Sequence, residues 1–479
     1  MKEWNQKLRS ASHGIISLMI AAWFSCCLAV KVLGEPPVAS LQAGVAQVDI
    51  TPPSGLPMYG YFDRLTKHQV STGTLDPLYA RVLVLEAVGK RVAFVTLDLG
   101  RTFDDSWLDR LRTAAKQTSH IDEVIATASH THSGPNILDV YPDGRPPAWQ
   151  DEILRKTLDA VHHAATHVEP VRLGIGHGEA HIGYNRRRVS LDNSVTMLWS
   201  NPGKTPTSPV DNTVSVIRID RLNGTPLVIL VNYACHPVVF GADNLRYSAD
   251  YVATMVETVT SAFPSRPICL FLQGADGDIN PYDATTPMDQ GAIQKRDWTG
   301  RELGQAVTQI AKQLQTTTTP ASLDFADDVL FFAWRWNPQK FHDDLLRVNG
   351  PLVFQDHAGL LETPALPSRL ALHVTSVLIN KQIAIVGMPG EPFVDFQINL
   401  RDRCPVEDCL LLGYTNGYFD YLPTILAASQ GGYGGGDSNT YVSVGAGESM
   451  LDHAVVRLYE MLGELTPVPP LENDTHRHR

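Results

Sequence analysis

Apolar residues along this chain fall into two rhythms. Strand-like runs come in pairs around tight turns: ARVLVLEAV and RVAFVTLDLG about Gly89-Lys90, VSVIRID and PLVILVNYAC about Leu222-Asn223-Gly224, and LALHVTSVLIN followed by QIAIVGM. Such pairs predict hairpins. Apolar residues three and four apart in DDSWLDRLRTAAKQ, AWQDEILRKTLDAVHHAA, YSADYVATMVETVTSAF, RDWTGRELGQAVTQIAKQLQ and MLDHAVVRLYEML predict amphipathic helices. Strands alternating with helices imply an α/β layer architecture, and the hairpins make its sheet mixed. Pro320 to Pro367 is weakly patterned with clustered aromatics and reads as an insertion. Gln430 to Gly436 (QGGYGGG) reads as a flexible loop, and 466–479 as a disordered tail. No internal repeat is visible in the sequence.

The first 40 residues differ. Lys2, Lys7 and Arg9 precede an apolar run from Ile15 to Val30 and then the Pro-containing KVLGEPPVAS, the order of a secretory signal. That run is shorter than the ~20 residues needed to span a bilayer. The expected location is secreted or periplasmic, with a membrane anchor if the signal stays uncleaved. The expected organisation is a signal and linker over 1–40, one α/β domain over 41–465 and the tail. Beyond the signal remain Cys235, Cys269, Cys404 and Cys409. Export permits disulfides: Cys404 and Cys409 flank a Pro-containing loop where a local bridge can form, whereas Cys235 and Cys269 read as buried thiols.

The 479 residues carry 39 Lys+Arg against 51 Asp+Glu, a net charge of −12. An acidic surface repels phosphate backbones, so no nucleic-acid partner is expected.

Five apolar strands run abruptly into polar residues: VIATAS into His130-Thr131-His132, LVILVNYAC into His236, ICLFLQ into Gly274–Pro281, QIAIVGMP into Gly390-Glu391, and LLLGYTN into Gly417–Tyr421. Ligands of open α/β sheets gather at strand carboxyl ends, so the five could converge on one site. Catalytic zinc takes about three His or carboxylate ligands and leaves a position open. His130, His236 and Glu391 supply that set, and Tyr421 could add an oxygen. Each fragment alone is weak: Asp276 and Asp278 could stabilise a turn, and Tyr418 and Tyr421 could be core aromatics. No His-Glu-x-x-His helix, Gly-x-Ser-x-Gly elbow or phosphate loop is present.

AGVAQVDITPP, SHTHSGPN, GYNRR, NYACHP, QGADGDINP, PGE and TNGYFDY stand in the order found in neutral ceramidases, the secreted zinc amidases of N-acylsphingosines, and from Leu41 to Leu465 the chain resembles that family. The resemblance implies that His130, His236, Glu391 and Tyr421 hold zinc, and that His132 and Arg186 contact substrate around the scissile amide. Where the family carries a Ser proposed as nucleophile, this chain has Asn280. The family's extra carboxyl-terminal β-sandwich has no expected counterpart here.

An amide side chain is no useful nucleophile, so zinc-activated water is expected to attack, with Asn280 donating to the developing oxyanion. Arg186 and His132 would share that anion, His132 would protonate the leaving amine, and Asp278 would orient a metal-bound His. The expected partner is a small acyl-amide or lipid-like substrate, with peripheral membrane contact left open and the oligomeric state not encoded. An esterase, or a non-catalytic zinc protein that binds a lipid or glycan, is the alternative.

Overall fold

Three segments, residues 40–137, 147–340 and 368–465, are described in the structure, a computed structural model. The signal-like run and the 466–479 tail lie outside them, so the expectations made there are not addressed. An eight-stranded sheet contains β1 (Gln42–Asp49), β2 (Tyr79–Ala87), β3 (Lys90–Leu97), β4 (Glu123–Ala128), β5 (Glu169–Glu179), β6 (Thr213–Arg221), β7 (Pro226–Tyr233) and β8 (Ile268–Gln273). Its spatial order is β8-β7-β6-β5-β1-β2-β3-β4. A second sheet runs β9 (Leu323–Phe332), β10 (Leu370–Ile379), β11 (Ile383–Gly387) and β12 (Asp408–Leu412) in that order. The α-helices among the described residues are α1 (Phe62–Thr66), α2 (Asp105–Ser119), α3 (Ala148–Thr166), α4 (Tyr251–Ser261), α5 (Ala292–Gln313), α6 (Val394–Arg403), α7 (Ile425–Gln430) and α8 (Ala446–Leu462).

The fold is mixed α/β, as the alternation predicts, in four layers. Leu83, Phe94, Ile217 and Leu270 of the large sheet meet Val377, Ile385 and Leu410 of the small one in a core between the sheets. The large sheet's other face packs Val82 and Val95 on Trp107, Leu111, Val161, Met255 and Leu303 of its helices, and the small sheet's packs Leu372 and Val386 on Leu400, Met450 and Leu458. Central strands are therefore covered on both faces, which is why β2 and β3 read as nearly unbroken apolar runs. Among the described residues no helix is long and apolar enough to cross a membrane.

All three expected hairpins form: β2 with β3, β6 with β7, and β10 with β11. Val88 and Gly89 (φ 51° and 75°) and Asn380 and Lys381 (both 53°) take the left-handed backbone that two-residue hairpin turns require. Each hairpin is followed by a crossover to a parallel strand: β3–α2–β4, β7–α4–β8 and β11–α6–β12. The chain thus builds the same ββαβ unit three times without a repeat in its sequence.

Three expectations are corrected. The weakly patterned region begins with a ten-residue strand, β9, whose apolar pattern is interrupted by Asp327 and Asp328. These acids are satisfied by His373 and Thr375 and by Arg457, respectively, so the strand tolerates them; residues 341–367 lie outside the described segments. The glycine-rich loop is fastened rather than loose, because Arg187 Nη1 donates to Gly431 O and Arg335 Nη1 to Gly435 O, both at 2.7 Å. Cys404 and Cys409 stand as free thiols, as do the buried Cys235 and Cys269.

Candidate metal centre and active site

Each of the three ββαβ units contributes one residue from beyond the carboxyl end of one of its parallel strands. Beyond β4, His130 takes a left-handed backbone (φ 67°), and its Nδ1 lies 2.6 Å from Gly100 O, just past the end of β3. Beyond β7, His236 Nδ1 lies 2.6 Å from Asp276 O, past the end of β8. A carbonyl oxygen only accepts, so both Nδ1 atoms carry a proton, and in the neutral ring, the form that binds a metal, Nε2 keeps a lone pair. Those lone pairs face the carboxylate past β11: Glu391 Oε2 is 3.2 Å from His236 Nε2, and Oε1 is 3.5 Å from His130 Nε2.

His130, His236 and Glu391 are 1%, 0% and 2% exposed. Lone pairs aimed at a carboxylate in so dry a place repel unless a cation lies among them. Nitrogens and oxygens about 2.0–2.1 Å from a tetrahedral ion would stand roughly 3.3 Å apart, close to the separations observed, so the residues fit a metal ion. His132 joins them with Nε2 3.1 Å from that of His130, and the ligand atoms of His130, His132 and His236 all lie within 4.8 Å of one another. His132 Nδ1 is buried without a hydrogen-bond partner among the described residues.

Burial, the largest cause, pushes His130 down to about 4 against the pull of Glu391, and burial also lowers His132, with His130 and His236 adding to it. Burial alone would raise Glu391, but His130, His236 and the Tyr418 hydroxyl outweigh it and hold the carboxyl well below its ordinary range. His130 and His132 are thus neutral imidazoles beside an ionised carboxylate.

Tyr421 enters through a short parallel pairing that sets it opposite Glu391, and its ring lies 5.3 Å from the Arg186 guanidinium. Arg186, 4% exposed, is also ringed by Tyr433 at 5.1 Å and Trp199 at 6.0 Å. Its Nη2 donates to Gly277 O at 2.6 Å and its Nη1 to Asn280 Oδ1 at 3.3 Å. That bond fixes the Asn280 amide with its oxygen toward the guanidinium, making the NH2 its donating end.

Asp278 is not beside a metal-site imidazole, contrary to expectation. The turn at Gly277 sends it the other way, where Oδ2 accepts from Asn185 Nδ2 at 2.6 Å and Oδ1 from the Val394 N–H at 2.9 Å. The neighbouring acid takes the expected place: Asp276 Oδ2 is 3.4 Å from His236 Nδ1, and Oδ1 accepts from Tyr414 at 2.7 Å. Burial raises Asp276 to about 7, and Asp278 to about 6. Sequence reasoning missed Tyr433 and allowed Tyr418 to be a core aromatic, whereas its phenol contacts Glu391 directly, donating to Oε1 at 2.6 Å. An aromatic inside a glycine run was the available signal for Tyr433.

A family model described as neutral/alkaline non-lysosomal ceramidase, N-terminal, matches residues 41–295. A Mycobacterium tuberculosis neutral ceramidase is 24% identical over 398 residues, covering 66% of this chain and 60% of that protein. Neutral ceramidase A of Dictyostelium discoideum is 26% identical over 267 residues, covering 51% and 36%. The chain therefore spans less than two thirds of the length of these relatives. The crystal structure of neutral ceramidase from Pseudomonas aeruginosa superposes with a TM-score of 0.70 at 20% identity, covering 90% of this chain and 76% of that one. A ceramidase complexed with C2 gives 0.70 at 19% identity, covering 91% and 78%.

Proposed function

This chain belongs to the neutral/alkaline non-lysosomal ceramidase family, and from that premise we propose that it is an exported, zinc-dependent hydrolase of an N-acyl amide bond. The proposed substrate is a ceramide-like lipid or a shorter N-acyl compound. The observation that carries the reading is the inward aim of the His130 and His236 lone pairs at Glu391, beside the caged Arg186. Imidazole with carboxylate is a donor set that suits zinc better than magnesium or calcium. Export is supported by the basic-then-apolar amino terminus.

His130, His236 and Glu391 would hold the ion, with Tyr421 completing the set; bound there, zinc supplies Lewis-acid polarisation of a carbonyl and activation of water. The protein's own groups do the rest. Asn280 offers no nucleophile, so water attacks. Arg186 brings positive charge to the developing oxyanion and aims the Asn280 NH2; one such donor contributes on the order of 10²–10³ in rate. His132, neutral at working pH, moves the proton that the departing amine needs. The burial of these groups keeps bulk water from screening them.

The test is zinc content together with fatty-acid release from labelled N-acylsphingosines of several acyl lengths. About one zinc per chain is expected, with Glu391→Ala losing most of the metal and reducing release to background. Full release after complete chelation would overturn the reading. Asn280 favours one competing role, a non-catalytic binder of lipid or glycan, whose outcome in the same assay is labelled substrate bound without release.

A further inference from the structure

Two phenols lie behind the metal site in a chain whose donor direction is fixed. Tyr418 spends its only proton on Glu391 Oε1 at 2.6 Å, within the range of hydroxyl bonds to ionised oxygens. Its oxygen then accepts from the Tyr59 hydroxyl at 3.0 Å. The order is therefore Tyr59 to Tyr418 to Glu391. The pair comes from opposite ends of the sequence, 359 positions apart.

Both rings are held by their surroundings. A Cβ at Gly100 would lie 2.1 Å from the Tyr59 ring, so that side of the slot admits only glycine. The edge of Tyr59 meets His130 and His132 at centroid distances of 5.8 and 5.6 Å. The Tyr418 ring stacks on Tyr414 at 6.2 Å, with the Arg101 guanidinium 5.6 Å over it. Tyr414 in turn donates to Asp276, the acid beside His236. Phenols from one loop thus grip a carboxylate on each side of the centre.

We propose that Tyr59 and Tyr418 form an outer clamp that fixes the Glu391 carboxylate for metal capture, with Tyr418 the inner and Tyr59 the outer positioning residue. The clamp rests on the metal reading above. With Oε1 tied to Tyr418, the carboxylate keeps Oε2 toward His236, and it does so before any ion arrives. Outer partners of this kind typically change metal affinity 10–100-fold.

The test titrates zinc chloride into the metal-free chain against a chromophoric chelator, for wild type, Tyr418→Phe, Tyr59→Phe and the double variant. Tyr418→Phe is expected to weaken zinc binding by about 10–100-fold. Tyr59→Phe should cost a measurable factor below about tenfold, and the double variant should match Tyr418→Phe, because the outer hydroxyl acts only through the inner one. Zinc affinity of wild-type strength in Tyr418→Phe, or losses that add in full, would overturn the clamp. Should Tyr418→Phe fail to fold, unchanged affinity in Tyr59→Phe overturns the pair. A wild type that binds no zinc shows up before any substitution, and it removes the metal reading along with the clamp.

Discussion

Each ββαβ unit has two ends with opposite character. At one end the hairpin turns about so tightly that its residues serve backbone geometry alone; Gly89 has open space where a side chain would go. At the other end the chain runs past the carboxyl ends of the parallel strands, and backbone carbonyls just beyond them keep a lone pair for a side-chain donor. Gly100 O and Asp276 O are two of these, and they hold His130 and His236. Chemistry collects where the backbone has hydrogen-bonding capacity to spare, the physical content of the rule that ligands bind at the carboxyl ends of strands.

Substitutions at the two ends test that contrast. The largest effect is expected at Gly277, where a Cβ would lie 2.4 Å from the Glu391 carbonyl oxygen. Gly277→Ala should cost about 1–3 kcal/mol in a denaturant titration and weaken zinc binding as well; zinc affinity of wild-type strength would mean that Glu391 is not held by that contact. Next comes Glu123, which opens β4 at the end away from His130. Burial, then Asp327, raises its carboxyl from 4.5 to about 7. The folded chain therefore holds this proton more tightly than the unfolded chain, and the stability it confers, complete below about pH 4.5, is lost as pH rises through 7. Glu123→Gln should flatten that slope by an amount on the order of 1–2 kcal/mol between pH 5 and 8, after discounting for screening, with release per loaded chain unchanged. An identical slope in both proteins would clear Glu123 of the effect. The smallest expected change is at the hairpin: Gly89→Ala, at φ 75°, should lose about 1 kcal/mol and leave zinc binding as it was. A drop in zinc affinity there would blur the distinction between the two ends.

The sequence made the layers legible because hairpins and amphipathic helices are local. It also placed His130, His236 and Glu391 near one another, through the abrupt ends of their strands, whereas Arg186 entered only through the family resemblance. What it hid depends on contacts between distant segments. β9 was obscured by Asp327 and Asp328, whose partners lie on β10 and α8. α6, of only ten residues, follows directly on the site segment at Glu391. Asp276 and Asp278 look equivalent on paper, and only the turn between them decides which one meets His236. The part played by Tyr418 follows from a hydroxyl reaching across to another strand's end, which periodicity does not encode.

The three units also set when the centre comes into being. His236 and Glu391 are 155 positions apart and hang from different sheets, so local helix or hairpin formation brings neither to the other. The pocket is assembled only once the sheets have closed on their shared core, among the most non-local and hence slowest contacts to form. Ion capture would therefore mark the completion of folding, and binding free energy gained there would reinforce the finished topology rather than any of its parts.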